Sequence, residues 1–179
     1  MSVQTALLII DAQKAMFADQ EPVANAETVI SNLKFALEQA RENHVPVLFV
    51  QHDDQFEGSP LQPGSPLWEI DDRIRPQEGE PVFHKEHPDS FQDTGLKAAL
   101  DQAGITDLII GGCQTEYCID TSTRRAFSLG YHVTLLHDGH STWNSPVLRA
   151  EQIVAHHNQV LGDFARLSSA RDINWQELP

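Results

Sequence analysis

Two short runs constrain this chain more than any other feature of it. Thr5-Ala6-Leu7-Leu8-Ile9-Ile10 and Val45 to Val50 show no alternation of polar with apolar residues. A strand with one wet face would alternate, so both read as strands buried on both faces. Pro46 sits where an edge or a strand start must tolerate it. Between the runs, residues 24 to 42 place Ala26, Val29, Ile30, Leu33, Leu37 and Ala40 at helical spacing. The alternation continues. Pro81 to His84 predicts a short strand, residues 95 to 103 a helix, and Asp107 to Gly111 a strand. Glu116 to Leu129 predicts a helix stopped near Gly130, and His132 to Leu136 a strand running into His137-Asp138. Asn144-Ser145-Pro146 places a capping side chain before a proline, a signature for a helix running to about Leu161. Phe164 to Leu167 predicts a last short strand. Strands alternating with helices imply an α/β fold, with a mostly parallel sheet covered on both faces.

The chain has 179 residues, of which 40% are hydrophobic. That is enough for one domain, residues 1–179, to bury its own core without disulfides or a structural metal. The two cysteines, Cys113 and Cys118, are too close along one loop region to serve as a structural staple. The first apolar run ends at once in Asp11, unlike a secretory signal, and no stretch is long enough to span a bilayer. These features predict a cytoplasmic protein. Lys plus Arg number 12 and Asp plus Glu 26, a formal charge of −14. Such a surface repels nucleic acid and anionic membranes, which leaves small molecules as the expected partners. Residues 53 to 80 are rich in Pro, Gly and acidic residues and predict a long loop, the kind that is usually functional.

In parallel sheets the site lies beyond the carboxyl ends of the strands. Asp11, the loop from Gln51 and the stretch Gly111-Gly112-Cys113-Gln114-Thr115-Glu116-Tyr117-Cys118-Ile119-Asp120 all lie at such ends. That stretch delivers the Cys118 thiol to the first turn of a helix. Unpaired N–H groups there favour a thiolate and can hold an oxyanion. Asp11 can take the thiol proton and return it to a leaving amine, and Lys85 can tune both groups. Taken singly, each residue has a blander reading. An Asp at a strand end is usually a turn or cap residue, a lone Lys a solvated charge, and a Cys after an apolar strand an inert core residue.

Jointly they are more specific. Leu8-Ile9-Ile10-Asp11-Ala12-Gln13, His84-Lys85, Ser90-Phe91-Gln92-Asp93-Thr94-Gly95-Leu96 and Gly111 to Cys118, continued by Thr121, Arg124, Ala126, Gly130 and Asp138, resemble the isochorismatase-like cysteine hydrolases. That superfamily includes nicotinamidases, carbamoylsarcosine amidases and streptothricin-hydrolase-like members. The resemblance implies a three-layer α/β/α sandwich. It implies Asp11 as general base, Lys85 as catalytic lysine and Cys118 as nucleophile. It also implies a cis peptide at Cys113–Gln114 and an oxyanion hole of the Gln114 and Cys118 N–H groups. The implied reaction is hydrolysis of an amide, ureide or lactam through a thioester. The implied assembly is a homodimer or homotetramer. Gln13, Phe17, Trp68, Phe91 and Tyr117 are the expected pocket residues. Trp68 could instead anchor its loop, and Tyr117 could lie behind the pocket. His84 is expected to be structural.

Nicotinamidases of the superfamily hold a metal through an Asp-x-His pair. Here the corresponding stretch is Gln51-His52-Asp53-Asp54, which lacks that order. No metal or other cofactor is expected, and His52 and Asp53 are read as polar groups at the pocket edge. Three alternatives remain: a metal-assisted nicotinamidase-type amidase, a non-catalytic binding protein on the same fold, and a redox protein using Cys113 and Cys118. The last lacks the Cys-x-x-Cys spacing.

Overall fold

A computed structural model defines residues 4–18 and 20–178. Six strands form one parallel sheet: β1 (Thr5–Ile10), β2 (Val47–His52), β3 (Val82–Lys85), β4 (Asp107–Cys113), β5 (His132–Ser141) and β6 (Arg166–Ser168). Their order is β3-β2-β1-β4-β5-β6. Helices α1 (Lys14–Phe17), α2 (Ala26–Glu42), α3 (Leu96–Gln102), α4 (Asp120–Ser128) and α5 (Ala150–Leu161) connect them.

The central strand shows why the fold has three layers. Every residue of β1 is buried, and its side chains alternate between faces. Leu7 and Ile9 pack with Leu33, Leu37, Met16 and Phe17 of α1 and α2. Ala6, Leu8 and Ile10 pack with Leu96, Leu100, Ala126 and Leu161 of α3, α4 and α5. Two apolar cores on opposite faces of one sheet make the α/β/α sandwich.

The strand order positions the site. The chain moves outward from β1 through β2 to β3, then returns to place β4 on the other side of β1. This reversal opens a crevice at the carboxyl ends of β1 and β4. Gly112 allows the two strands to stay close there. Its φ is +136°, and a Cβ would lie 1.8 Å from the Ile10 carbonyl oxygen, so no other residue fits this backbone.

Several boundaries differ from the sequence expectations. β5 runs to Ser141, past Leu136, because its polar end pairs with the end of β4 after an irregularity (Gly112 with His140, Cys113 with Ser141). Helix α5 starts at Ala150, since Ser145 closes a turn with Leu148 and the Asn144 side chain accepts from the Ala150 N–H. The helix expected from Glu116 opens with a π-helical turn, Thr115–Ile119, in which the Ile119 N–H donates to Gln114 O. Lys85 is the last residue of β3 and does not follow it. The segment 53 to 80 holds a short 3₁₀ turn at Asp72–Ile74 and an isolated bridge between Gln13 and Ile70. No helix among the described residues is long and apolar enough to cross a membrane.

Candidate active site

Three strand ends bring the titratable groups together. Asp11 follows β1 with φ +48°, a backbone turn that Asp tolerates better than most residues. Lys85 ends β3, and His52 ends β2 beside it in register. Cys118 lies in the π-helical turn after β4.

An ammonium has three donors, and each one of Lys85 has an assigned neighbour. Its Nζ lies 2.6 Å from Asp11 Oδ2, 3.2 Å from Cys118 Sγ and 3.2 Å from His52 Nδ1. Asp11 and Lys85 are 1% and 2% exposed, so this ion pair is out of water. Burial works against the Lys85 charge, but its two partners, Asp11 first and then Cys118, together outweigh it and hold the lysine pKa above its ordinary value. Lys85 can only donate, so His52 Nδ1 accepts and the ring proton sits on Nε2. Burial, then the Lys85 charge, lowers the His52 pKa, which keeps the ring neutral at pH 7.

The thiol differs from the sequence expectation. Burial raises the Cys118 pKa, and the neighbouring Asp11 carboxylate raises it further, while Lys85 pulls it back only in part. The resting group is therefore a protonated thiol whose sulfur accepts from Lys85. A base is needed to activate it, and Asp11 shares the Lys85 ammonium with it.

The turn that carries Cys118 is held from behind. The Cys113–Gln114 peptide is cis. Thr115 Oγ1 lies 2.9 Å from His140 Nδ1, and His140 Nε2 lies 2.9 Å from Asn158 Oδ1. Asn158 Nδ2 donates to His137 O, so its Oδ1 is the acceptor and His140 carries its proton on Nε2. Thr115 then donates to Nδ1. Burial pushes the His140 pKa down to about 4.

A cavity of about 250 Å³ opens over the thiol, lined by Asp11, Met16, His52, Leu61, Pro88, Gln114, Tyr117 and Cys118. A wider groove of about 1120 Å³ shares Met16, Leu61 and Gln114 with it. Of the expected pocket residues, Tyr117 lines the cavity and is 55% exposed. The other four do not line it. Gln13 is fully buried and ties loops together, donating to His52 O and Trp68 O and accepting from the His52 N–H. Phe17 lies in the core beneath Arg73. Phe91 lies in the opposite core and stacks on Tyr131. Trp68 anchors its loop, donating from Nε1 to Asp53 Oδ1 at 2.8 Å and stacking on His84. His84 in turn contacts Asp53 at 3.0 Å. Leu61 comes from the long loop at 53 to 70, from which pocket side chains are expected; Met16 and Pro88 were not expected in the cavity, and no local sequence signal marks them. The contact of His52 with Lys85 was also not expected.

No group of three or more His, Cys, Asp or Glu side chains suited to a metal ion occurs among the described residues. His52 faces an ammonium, Asp53 holds Trp68, and Asp54 accepts from the Phe56 N–H and the Ser59 hydroxyl.

A parallel sandwich with an ammonium in contact with both a carboxylate and a thiol at its topological switch defines a class of candidate covalent hydrolases. The isochorismatase domain model matches residues 5–166, and the chain belongs to that family. It is 37% identical over 141 residues to streptothricin hydrolase of Streptomyces noursei, a match covering 79% of this chain and 51% of that protein. The chain therefore spans about half the length of that relative. Ureidoacrylate amidohydrolase of Caulobacter segnis is 28% identical over 170 residues, covering 75% of this chain and 71% of that one. The crystal structure of an isochorismatase from Pseudomonas putida KT2440 superimposes with a TM-score of 0.88 at 28% identity, covering 95% of this chain and 90% of that one.

Proposed function

We propose that this protein hydrolyses a carbon–nitrogen bond of a small molecule, an amide, ureide or lactam, through a thioester on Cys118. The observation that carries the reading is the contact set of Lys85, whose Nζ touches both the Asp11 carboxylate and the Cys118 sulfur. Asp11 takes the thiol proton as sulfur attacks the carbonyl. Lys85 offsets the charge that this leaves on sulfur. The Gln114 and Cys118 N–H groups receive the developing oxyanion. Asp11 then gives its proton to the leaving nitrogen as the C–N bond breaks, and an amine or ammonia departs. Water adds to the thioester with Asp11 as base, and the acid leaves as the thiol reforms. A nitrogen leaving group needs a proton donor, which is why a thiol alone would not serve. Streptothricin hydrolase and ureidoacrylate amidohydrolase among the relatives support a C–N substrate.

The same reading places the protein in the cytoplasm, with both cysteines free and a small molecule as its partner. It also expects a homodimer or homotetramer, which light scattering measures. The test of the chemistry is acid-quenched intact mass spectrometry during turnover of a panel of amides, ureides and lactams. The expected result is an acyl adduct on Cys118 that hydroxylamine releases. Turnover with no adduct, undiminished in Cys118→Ala, overturns the thioester.

A further inference from the structure

The charge around the cavity restricts what can enter it. Lys85 is the nearest cation, and its three donors are directed at Asp11, Cys118 and His52. His52 is neutral, with its proton on Nε2. Among the described residues, no Lys or Arg lines the cavity or the adjoining groove. A substrate carboxylate would thus lose its hydration and meet no counter-charge, a cost of several kcal/mol that such a site does not offset.

The acceptors point the other way. Asp11 is 1% exposed and lines the cavity. Besides the ion pair with Lys85, neither oxygen of its carboxylate has a hydrogen-bond partner among the described residues. A carboxylate offers about four acceptor positions, so capacity remains for an incoming N–H. Farther out, the groove carries Glu21 and Asp54. Asp54 is fixed as a carboxylate by the Phe56 N–H at 3.1 Å and the Ser59 hydroxyl at 2.8 Å.

We propose that the substrate is an amide bearing an N–H at the scissile bond and a cationic amine that lies in the groove toward Glu21 and Asp54, and that carboxylate-bearing amides are excluded. This rests on the hydrolase reading above and specifies its substrate class. The Asp11 carboxylate accepts the scissile N–H. The amine replaces part of its hydration with the groove carboxylates.

Thiol labelling tests this without knowing the substrate. Three methanethiosulfonates are compared, carrying a trimethylammonioethyl, a methyl or a sulfonatoethyl group. Each forms a disulfide with Cys118 and expels methanesulfinate, and the rate is read by intact mass. Cys113 is fully buried and acts as the internal control. Rates are normalised to those of a free thiol and measured at low ionic strength, where groove charges act, and the Glu78→Lys control reports the share due to the −14 net charge. The cationic reagent is expected to outrun the anionic one by about tenfold, the low end for clefts lined by one sign of charge. Glu21→Lys and Asp54→Asn should each reduce that ratio severalfold. Glu78→Lys makes the same charge change as Glu21→Lys in a hollow shared with Pro46, at the amino end of the strands, and should leave the ratio unchanged. A ratio near one, or an equal effect of Glu78→Lys, overturns the substrate class and leaves the hydrolase reading intact. A Cys118 that no reagent labels in the folded protein, though all label it unfolded, removes the nucleophile and both readings with it.

Discussion

The two cysteines stand at either end of one short turn, yet their surroundings have little in common. Cys113 ends β4 and is fully buried, and burial raises its pKa to about 12. Cys118 is also raised by burial, but an ammonium touches it, a carboxylate lies on that same ammonium, and a cavity opens above it. Desolvation alone makes a thiol inert. Desolvation with a counter-charge in contact and a base on that same charge makes one that is protonated at rest and activated when attack begins. The difference lies in which strand ends each sulfur faces.

The largest effect should break this comparison if it is wrong. Cys118→Ala should lower kcat/KM for any amide that is turned over by about 10⁴-fold or more, the scale of losing a covalent nucleophile. Cys113→Ala should change it by less than about threefold, since it removes one small buried group. Equal losses in the two variants would mean that Cys118 acts only by packing. Asp11→Asn separates two properties of the same thiol. Turnover should fall about 10² to 10⁴-fold, because the proton carrier is gone. Alkylation by iodoacetamide should shift to lower pH, because the charge that keeps the proton on sulfur is gone while Lys85 remains. A pH profile identical to wild type would show that Asp11 does not govern the thiol.

Stability offers the next contrast. Lys85→Met leaves the Asp11 carboxylate buried without its partner, which should cost about 3–5 kcal/mol in denaturant unfolding. The double variant Asp11→Asn, Lys85→Met removes the orphaned charge and should recover a large part of that loss. Additive losses would mean that the pair is not coupled.

The sheet and its switch point were legible because burial on both faces leaves a continuous apolar run. Thr5 to Ile10 is such a run, and it became the fully buried centre. The end of β5 was not legible, because His137 to Ser141 is polar and its burial depends on distant partners. Ser141 donates to Ala24 O, and Asn32 to Asp138 O. At α5 the expected start failed for a local reason. The Asn144-Ser145-Pro146 signature closes a separate turn before the helix begins. The residues that meet as Asp11, Lys85, Cys118 and Gln114 could be named from motif resemblance. His52 could not, since its partner lies 33 residues away and only the register of β2 with β3 joins them. Of the expected aromatic pocket residues, Tyr117 lines the cavity and the other three lie elsewhere for a general reason. Phe17 and Phe91 gain more from a core than from a wet cavity, and Trp68 found a carboxylate partner in Asp53.

The smallest effect concerns the turn that separates the two cysteines. Thr115 is anchored there by His140, whose pKa is pushed down to about 4 by burial. A free histidine titrates near 6.5. Between those values the unfolded chain binds a proton that the folded protein refuses, so stability must fall as pH drops through this window. Above about 6.5 both states are neutral and the group adds no pH dependence. Below about 4 both are charged and the loss is complete, at about 3 kcal/mol. His140→Gln should flatten the unfolding free energy between pH 6.5 and 4 relative to wild type. An unchanged slope would mean that His140 is not held neutral. A flattened slope with the Cys118 alkylation rate also altered would show that the buried ring positions the nucleophile turn through Thr115.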